Sequence, residues 1–174
     1  GGRCPKCGEK VYPTDTLRLH ELVSEMQPNE AAVSKLMTVI EHLSIFSTLR
    51  FIHENEPEKL ENFAFLRDGY LALFGQVAWL HKALLREIRE IRYEQKEDGH
   101  KPPIIVGITK SGHFVDHAER IRDEIPSQTI IRLDNDYIYE YIINSRNSET
   151  EHGSNTYYGQ KFIYKTSSDK IFLV

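Results

Sequence analysis

The chain has no long apolar run, and it is short of cysteine, glycine and proline. Its uninterrupted apolar stretches reach only four or five residues, which excludes a hydrophobic span long enough to cross a membrane as a helix. No basic leader followed by an apolar core opens the sequence, which points to the cytoplasm rather than to secretion. The two cysteines, Cys4 and Cys7, are too few for a disulfide framework. Ten glycines and seven prolines in 174 residues exclude collagen-like repeats and low-complexity linkers. Basic excess is missing too: 22 Lys and Arg against 26 Asp and Glu leave a net charge of −4. A protein that grips nucleic acid by bulk charge is ordinarily basic, so composition alone gives no hint of DNA.

What is present suits one domain of ordinary size with a small appendage. Hydrophobic residues make up 40% of the chain and charged residues 28%, enough to bury a core. Both ends read as cut: Gly1-Gly2-Arg3 lacks an initiator Met, and Lys170–Val174 reads as a strand that stops without a tail. The expectation is a fragment of a longer protein.

Residues 1–13 are turn-rich. Thr14 or Asp15 can cap a short helix over Thr16–Met26, and a second helix starts at Pro28-Asn29. The second helix carries apolar residues from Ala32 to Ile52 on more than one stripe, so burial on most sides is expected. Glu54–Glu61 is charged and suits a loop. Asn62–Leu66 reads as a buried strand, Gln76–Gln95 as an amphipathic helix, and Ile104–Ile108 as the clearest buried strand. A helix with Phe114, Ala118, Ile121 and Ile125 inward follows. Thr129–Leu133 is another strand, and Asp134 or Asn135 caps a helix running to Asn144. Ser145–Asn155 is a polar loop, and Lys161–Thr166 with Lys170–Val174 forms a hairpin. Strands alternating with helices give an α/β class.

A few residues stand out against this frame. Asp68 ends a strand and precedes Gly69: a metal ligand at a strand end, or an ordinary Asp-Gly turn. Glu41 interrupts an apolar helix, which is costly unless it is paired, bound to metal or on a wet stripe. Lys110 follows a strand and could hold a phosphate oxygen, or simply be solvated. Asp134 and Asp136 sit at a strand-to-helix junction, where one is a helix cap and the other is free for metal. His113 and His117 lie four apart without the HExxH of a zinc protease; His113 could stand behind the ligands. The Gly107–Gly112 turn lacks the Walker order, though it leaves open a nucleotide-handling α/β enzyme.

The order of these features is more informative than any one of them. LMTVIEHL around Glu41, FAFLRDGYLALFG around Asp68, IIVGITKSGHFVDHAERI around Lys110 and LDNDYIYEYI around Asp134 together resemble the NurA nuclease family. The closing YYGQKFIYKTSSDKIFLV is similar to that family's late β-hairpin, and CPKCGEKVYPTDTLRLHEL to a zinc-knuckle lead-in. The resemblance implies a ribonuclease H-like mixed sheet flanked by helices with a C-terminal hairpin. It divides the chain into a lead-in over 1–27 and a nuclease core over 28–174. It further implies a manganese- or magnesium-dependent deoxyribonuclease, a homodimer, acting on DNA with a HerA-type hexameric ATPase in end processing or phage defence. On it, Glu41, Asp68 and Asp134 hold the metal, with Asp136 as the rival of Asp134, and Lys110 touches the scissile phosphate. The family's first acidic motif, an Asp-Gly-Ser on an early strand, has no match and would lie before Cys4. A fragment without it would hold most of the site, and a complete chain would be a non-catalytic relative serving as a scaffold that docks an ATPase or DNA.

Cys4-Pro5-Lys6-Cys7-Gly8 has the form of one zinc knuckle. Structural zinc needs four ligands, so a second pair would lie upstream or a histidine such as His20 would contribute. A redox pair or two free thiols are the other readings.

Overall fold

The computed structural model describes residues 2–23, 29–143 and 157–174. It begins with a two-stranded antiparallel hairpin, β1 (Gly2–Arg3) and β2 (Lys10–Val11), which holds the two cysteines in its loop. The short helix expected over Thr16–Met26 is instead two 3-10 turns, Pro13–Leu17 and Leu19–Leu22, split at Arg18. Arg18 takes a left-handed φ of 52°, which no continuous helix tolerates. The last residues of that expectation, and the Ser145–Asn155 loop, lie outside the described residues.

Helix α1 runs Glu30–Asn55, longer than the charge pattern suggests, and the segment after it is a 3-10 turn, Pro57–Asn62. The helix was expected to be buried on most sides, but only one stripe is: Val39, His42, Phe46 and Leu49. Val33, Met37, Ile40, Leu43 and Phe51 are exposed, because among the described residues the core packs against α1 from one side alone. Strand β3 (Ala64–Asp68) follows, then a 3-10 turn Gly75–Val77 and helix α2 (Leu80–Glu97). Next come β4 (Ile104–Ile108), α3 (His113–Arg120) and β5 (Thr129–Leu133). Helix α4 (Asn135–Tyr137) passes into a π-helical turn, Ile138–Ile142. The expected closing hairpin is present as β6 (Lys161–Lys165) and β7 (Ile171–Leu173).

Strands β3 and β4 pair in parallel, with Asp68 opposite Ile108. Strands β5, β6 and β7 form an antiparallel set in that order with β6 central. One antiparallel bridge, Thr109 to Leu173, stitches β4 to β7, with the Thr109 N–H on the Leu173 carbonyl at 2.8 Å. The chain is therefore a mixed α/β fold with small sheets. Two buried clusters hold it. One gathers Leu49, Leu60, Leu73 and Val77 with Phe65 and Ile105 between α1, α2 and β3–β4. The other gathers Phe114, Leu133, Ile138, Ile163 and Leu173 under α3. Each fully buried leucine contributes about 1.5–3 kcal/mol of transfer free energy. Alternation along the strands turns Leu66, Ile104 and Ile130 to the opposite, exposed face. No helix among the described residues is long and apolar enough to cross a membrane.

Candidate active site

Asp68 closes β3 and Lys110 follows β4, so parallel pairing brings the two together at one end of the sheet. Lys110 Nζ donates to Asp68 Oδ2 at 3.1 Å, and both side chains are open to solvent. The chain leaves Asp68 through Gly69, at φ +124°, whose N–H donates to the Ile108 carbonyl at 2.8 Å. It then crosses β4 above Gly107. A Cβ on Gly107 would stand 2.4 Å from the Gly69 carbonyl oxygen and 3.0 Å from Leu71, so the crossing needs glycine there.

Arg67, one residue earlier in β3, points the other way along the pleat and is nearly buried. Its guanidinium donates to the Tyr70 carbonyl at 2.7 Å and to Glu41 Oε2 at 2.9 Å. Glu41 is half-exposed, so it lies on the wet stripe of α1 and is paired rather than stranded in an apolar environment. Beneath it His42 is fully buried, and its Nδ1 shares a hydrogen bond with the Tyr158 hydroxyl. Burial, and secondarily the Arg67 charge, pull the His42 imidazole down to about 4. Burial likewise pushes the Tyr158 hydroxyl well above its usual range.

Asp134 and Asp136 do not join this group. Asp134 Oδ1 accepts the Tyr137 N–H at 2.9 Å and so caps α4, while Asp136 is exposed one residue into that helix. Strand β5 stands four positions from β3, with β4, β7 and β6 between them. At about 4.8 Å per strand the gap is roughly 19 Å. Metal–oxygen bonds of about 2.0–2.6 Å cannot span it, so Asp134 does not share an ion with Asp68 as the resemblance implied. His113 is exposed at the start of α3. His117, one turn on, meets the Tyr137 hydroxyl at 2.8 Å instead of facing the Asp68 end.

Among the described residues no three His, Cys, Asp or Glu side chains gather where they could hold a metal. A hard divalent cation takes clustered oxygens, and here the acids are separated or engaged by cations. Manganese or magnesium therefore does not fit the described residues by themselves. His20 likewise does not complete a three-ligand group with Cys4 and Cys7. The phosphate-turn reading of Gly107–Gly112 also weakens, because the Thr109 amide is committed to Leu173.

Two features escaped the sequence reading. Arg67 was legible in principle: a cation at an inward strand position beside Asp68 implies a buried partner. Lys161 was masked by the apolar FIY that follows it. It is buried, with its ammonium 3.5 Å from the centre of the Tyr157 ring, and burial pulls it down to about 8. Tyr157 and Lys161, with Tyr70, Gly107, Thr109 and Gln160, line a cavity between the two sheets.

No family model matches the chain, and no curated protein or solved structure matches it.

Proposed function

We propose that this chain is part of a metal-dependent DNA nuclease domain of the NurA kind, with a ribonuclease H-like layout, that hydrolyses phosphodiesters beside a HerA-type ATPase. The supporting observation is the Asp68–Lys110 pair: a carboxylate and an ammonium 3.1 Å apart at the ends of adjacent parallel strands, open to solvent. A lysine in that position can neutralise a phosphate oxygen, and the aspartate offers oxygens to a proton or cation. The manganese or magnesium that the resemblance implies needs further carboxylates from outside the described residues. DNA as substrate and a homodimer belong to the same reading.

A second reading, a non-catalytic relative that docks DNA or an ATPase, is favoured by a different observation. Glu41 is bound by Arg67, Asp68 by Lys110, and Asp134 is a helix cap. A manganese-dependent cleavage assay on linear and single-stranded DNA separates the two. On the nuclease reading, Asp68→Ala and Lys110→Ala each lower cutting at least tenfold. Cutting that is unchanged in Asp68→Ala removes Asp68 from the chemistry. DNA or ATPase binding without cutting, equal in wild type and variants, supports the docking reading.

A further inference from the structure

The parallel pair β3–β4 and the antiparallel set β5–β6–β7 join along only part of their length. Strand β7 lies between β4 and β6. Leu173 exchanges backbone hydrogen bonds with Thr109 of the β4 end at 2.8 and 3.2 Å, and Val174 exchanges them with Phe162 of β6 at 2.8 Å each way. With β7 between them, β4 and β6 stand two strand spacings, roughly 10 Å, apart. Next to Val174, on the line of β7, lies a cavity of about 290 Å3. Its walls are Ile105 and Gly107 of β4, Phe162 of β6, and Leu71, Ile88 and Arg92.

Successive residues of a strand direct their N–H and C=O groups to opposite edges. The Ile104 N–H donates to the Phe63 carbonyl at 3.4 Å, and the Ile108 carbonyl accepts the Gly69 N–H at 2.8 Å, so Ile104, Val106 and Ile108 serve β3. Ile105, Gly107 and Thr109 therefore face the other edge. Thr109 is paired there with Leu173, whereas no hydrogen bond on that edge joins Ile105 or Gly107 to another described residue. Gly107 is nonetheless buried, and buried backbone groups are ordinarily paired because leaving them unpaired costs as much as a lost hydrogen bond. A strand is what completes such an edge. The α2 wall sets which side chains that strand carries. Ile88 and Arg92 line this cavity, and Arg89, on the same face of α2, lines an adjoining one of about 240 Å3 that shares Tyr158, Gly159 and Gln160. Neither arginine is in an ion pair among the described residues, although Glu87 and Glu90 of the same helix are engaged by Arg50 and Arg86. No aspartate or glutamate among the described residues lines either cavity. An occupant complementary to these walls is apolar against Leu71 and Ile88 and acidic near the arginines.

We propose that the β4 edge at Ile105 and Gly107 takes up an extended peptide of a protein partner, antiparallel to β4 and in line with β7, apolar in its N-terminal half and acidic in its C-terminal half. The register of the Thr109–Leu173 bridge fixes the direction: a strand on this line meets Gly107 first and Ile105 two residues later. Cross-strand partners point to the same face. The residue opposite Gly107 thus points toward Leu71, which a Cβ on Gly107 would meet at 3.0 Å. The residue opposite Ile105 lies toward Pro103, the end of the cavity that the C-terminal half of α2 supplies with Arg92. The site does not rest on the nuclease reading, because Asp68 and Lys110 stand at the other end of β4, by the Thr109 bridge.

The test is fluorescence anisotropy of a capped, fluorescein-labelled hexapeptide, with valine and threonine alternating in its first four positions and glutamate in its last two, titrated with the full chain. Saturable binding is expected. It weakens at least tenfold in Arg92→Glu, when lysine replaces both glutamates of the peptide, and when the peptide amides that face Gly107 and Ile105 are N-methylated. Asp68→Ala leaves it unchanged. Amide hydrogen exchange at Ile105 and Gly107, followed by NMR, slows in the complex, as strand pairing requires and a surface ion pair does not. Arg92 is exposed, so its variant is expected to keep the wild-type far-UV dichroism, and the lysine peptide repeats the charge test on the unaltered chain. Absence of saturable binding, equal binding of the N-methylated peptide, or unchanged exchange at both amides overturns the proposal. So does slow exchange in the free chain with a dimeric mass in native mass spectrometry, which gives the edge to a second copy. Displacement of the peptide by octanoate without any change in exchange also overturns it, making the cavity a pocket for small organic anions.

Discussion

Lys110 Nζ rests 3.1 Å from Asp68 Oδ2, and the two meet only because β3 and β4 run in parallel with Asp68 opposite Ile108. The pair is fixed by strand register but bathed in solvent, which separates its role in stability from its role in chemistry. Exposed ion pairs contribute about 0.2–1 kcal/mol, less in high salt. A double-mutant cycle with Asp68→Ala and Lys110→Ala is therefore expected to give a coupling below about 1 kcal/mol in urea denaturation, shrinking further at high salt. A coupling of several kcal/mol would show the pair to be structural, and a loss of the proposed DNA cutting in the single variants would then report misfolding rather than chemistry.

The ion pair one residue earlier behaves in the opposite way. Arg67 has a nearly buried side chain with donors on the Tyr70 carbonyl and on Glu41, whereas Glu41 is half-exposed. Glu41→Ala leaves a guanidinium that water and Tyr70 can still serve, at an expected cost below about 1 kcal/mol. Arg67→Ala removes the donor to the Tyr70 carbonyl and the guanidinium packed beside Gly69, at an expected cost of about 2–3 kcal/mol. Chemical denaturation of the two variants side by side checks the order. Equal costs would mean that Glu41, not Arg67, anchors the corner.

These two pairs show what the sequence made legible. Strands β4 and β5 and the closing hairpin could be read because short apolar runs bounded by turn residues have few alternatives, and β4 and β5 match residue for residue. The Asp68 and Lys110 positions could be read as strand ends. What could not be read was distance. Asp134 also ends a strand, but its separation from Asp68 depends on strand order, which a single sequence does not state. Helix α1 misled for a related reason: apolar residues such as Met37, Ile40 and Phe51 signal burial, yet the described residues cover only the Val39–Leu49 stripe. The 3-10 turns around Arg18 and after Asn55 fall where local hydrogen bonds compete with α-helical propensity.

His42 makes stability depend on pH. Its imidazole is held near 4 in the folded chain, first by burial and then by the Arg67 charge, against an ordinary value near 6.5. Above pH 6.5 the ring is neutral in both folded and unfolded chains and contributes no slope. Between 6.5 and about 4 the unfolded chain takes up a proton that the folded one refuses, so stability falls as pH falls, by up to about 1.4 kcal/mol per unit. Below about 4 the folded form is protonated too, and this contribution levels off. Urea midpoints measured from pH 7.5 to 4.5 are expected to decline, and His42→Phe is expected to flatten part of the decline. An identical slope in that variant would place the titration elsewhere.

Gly107 couples the fold to the candidate site most directly. A methyl group there would sit 2.4 Å from the Gly69 carbonyl oxygen and 3.0 Å from the Leu71 backbone nitrogen, and backbone cannot swing aside as a flexible side chain can. Gly107→Ala must therefore push the Gly69–Leu71 crossing away from β4. That weakens the Gly69 N–H bond to Ile108 and moves Asp68, which precedes it, relative to Lys110. Overpacking of this kind costs about 1–3 kcal/mol, and the upper end is expected because two backbone atoms are struck. Gly99→Ala is the matched control: no atom stands within 4 Å of its added Cβ, and its φ of +80° makes it a strain-only substitution far from the crossing. If Gly107→Ala destabilises the fold no more than Gly99→Ala and leaves the proposed DNA cutting unchanged, the crossing is looser than 2.4 Å implies, and Asp68 does not depend on it for position.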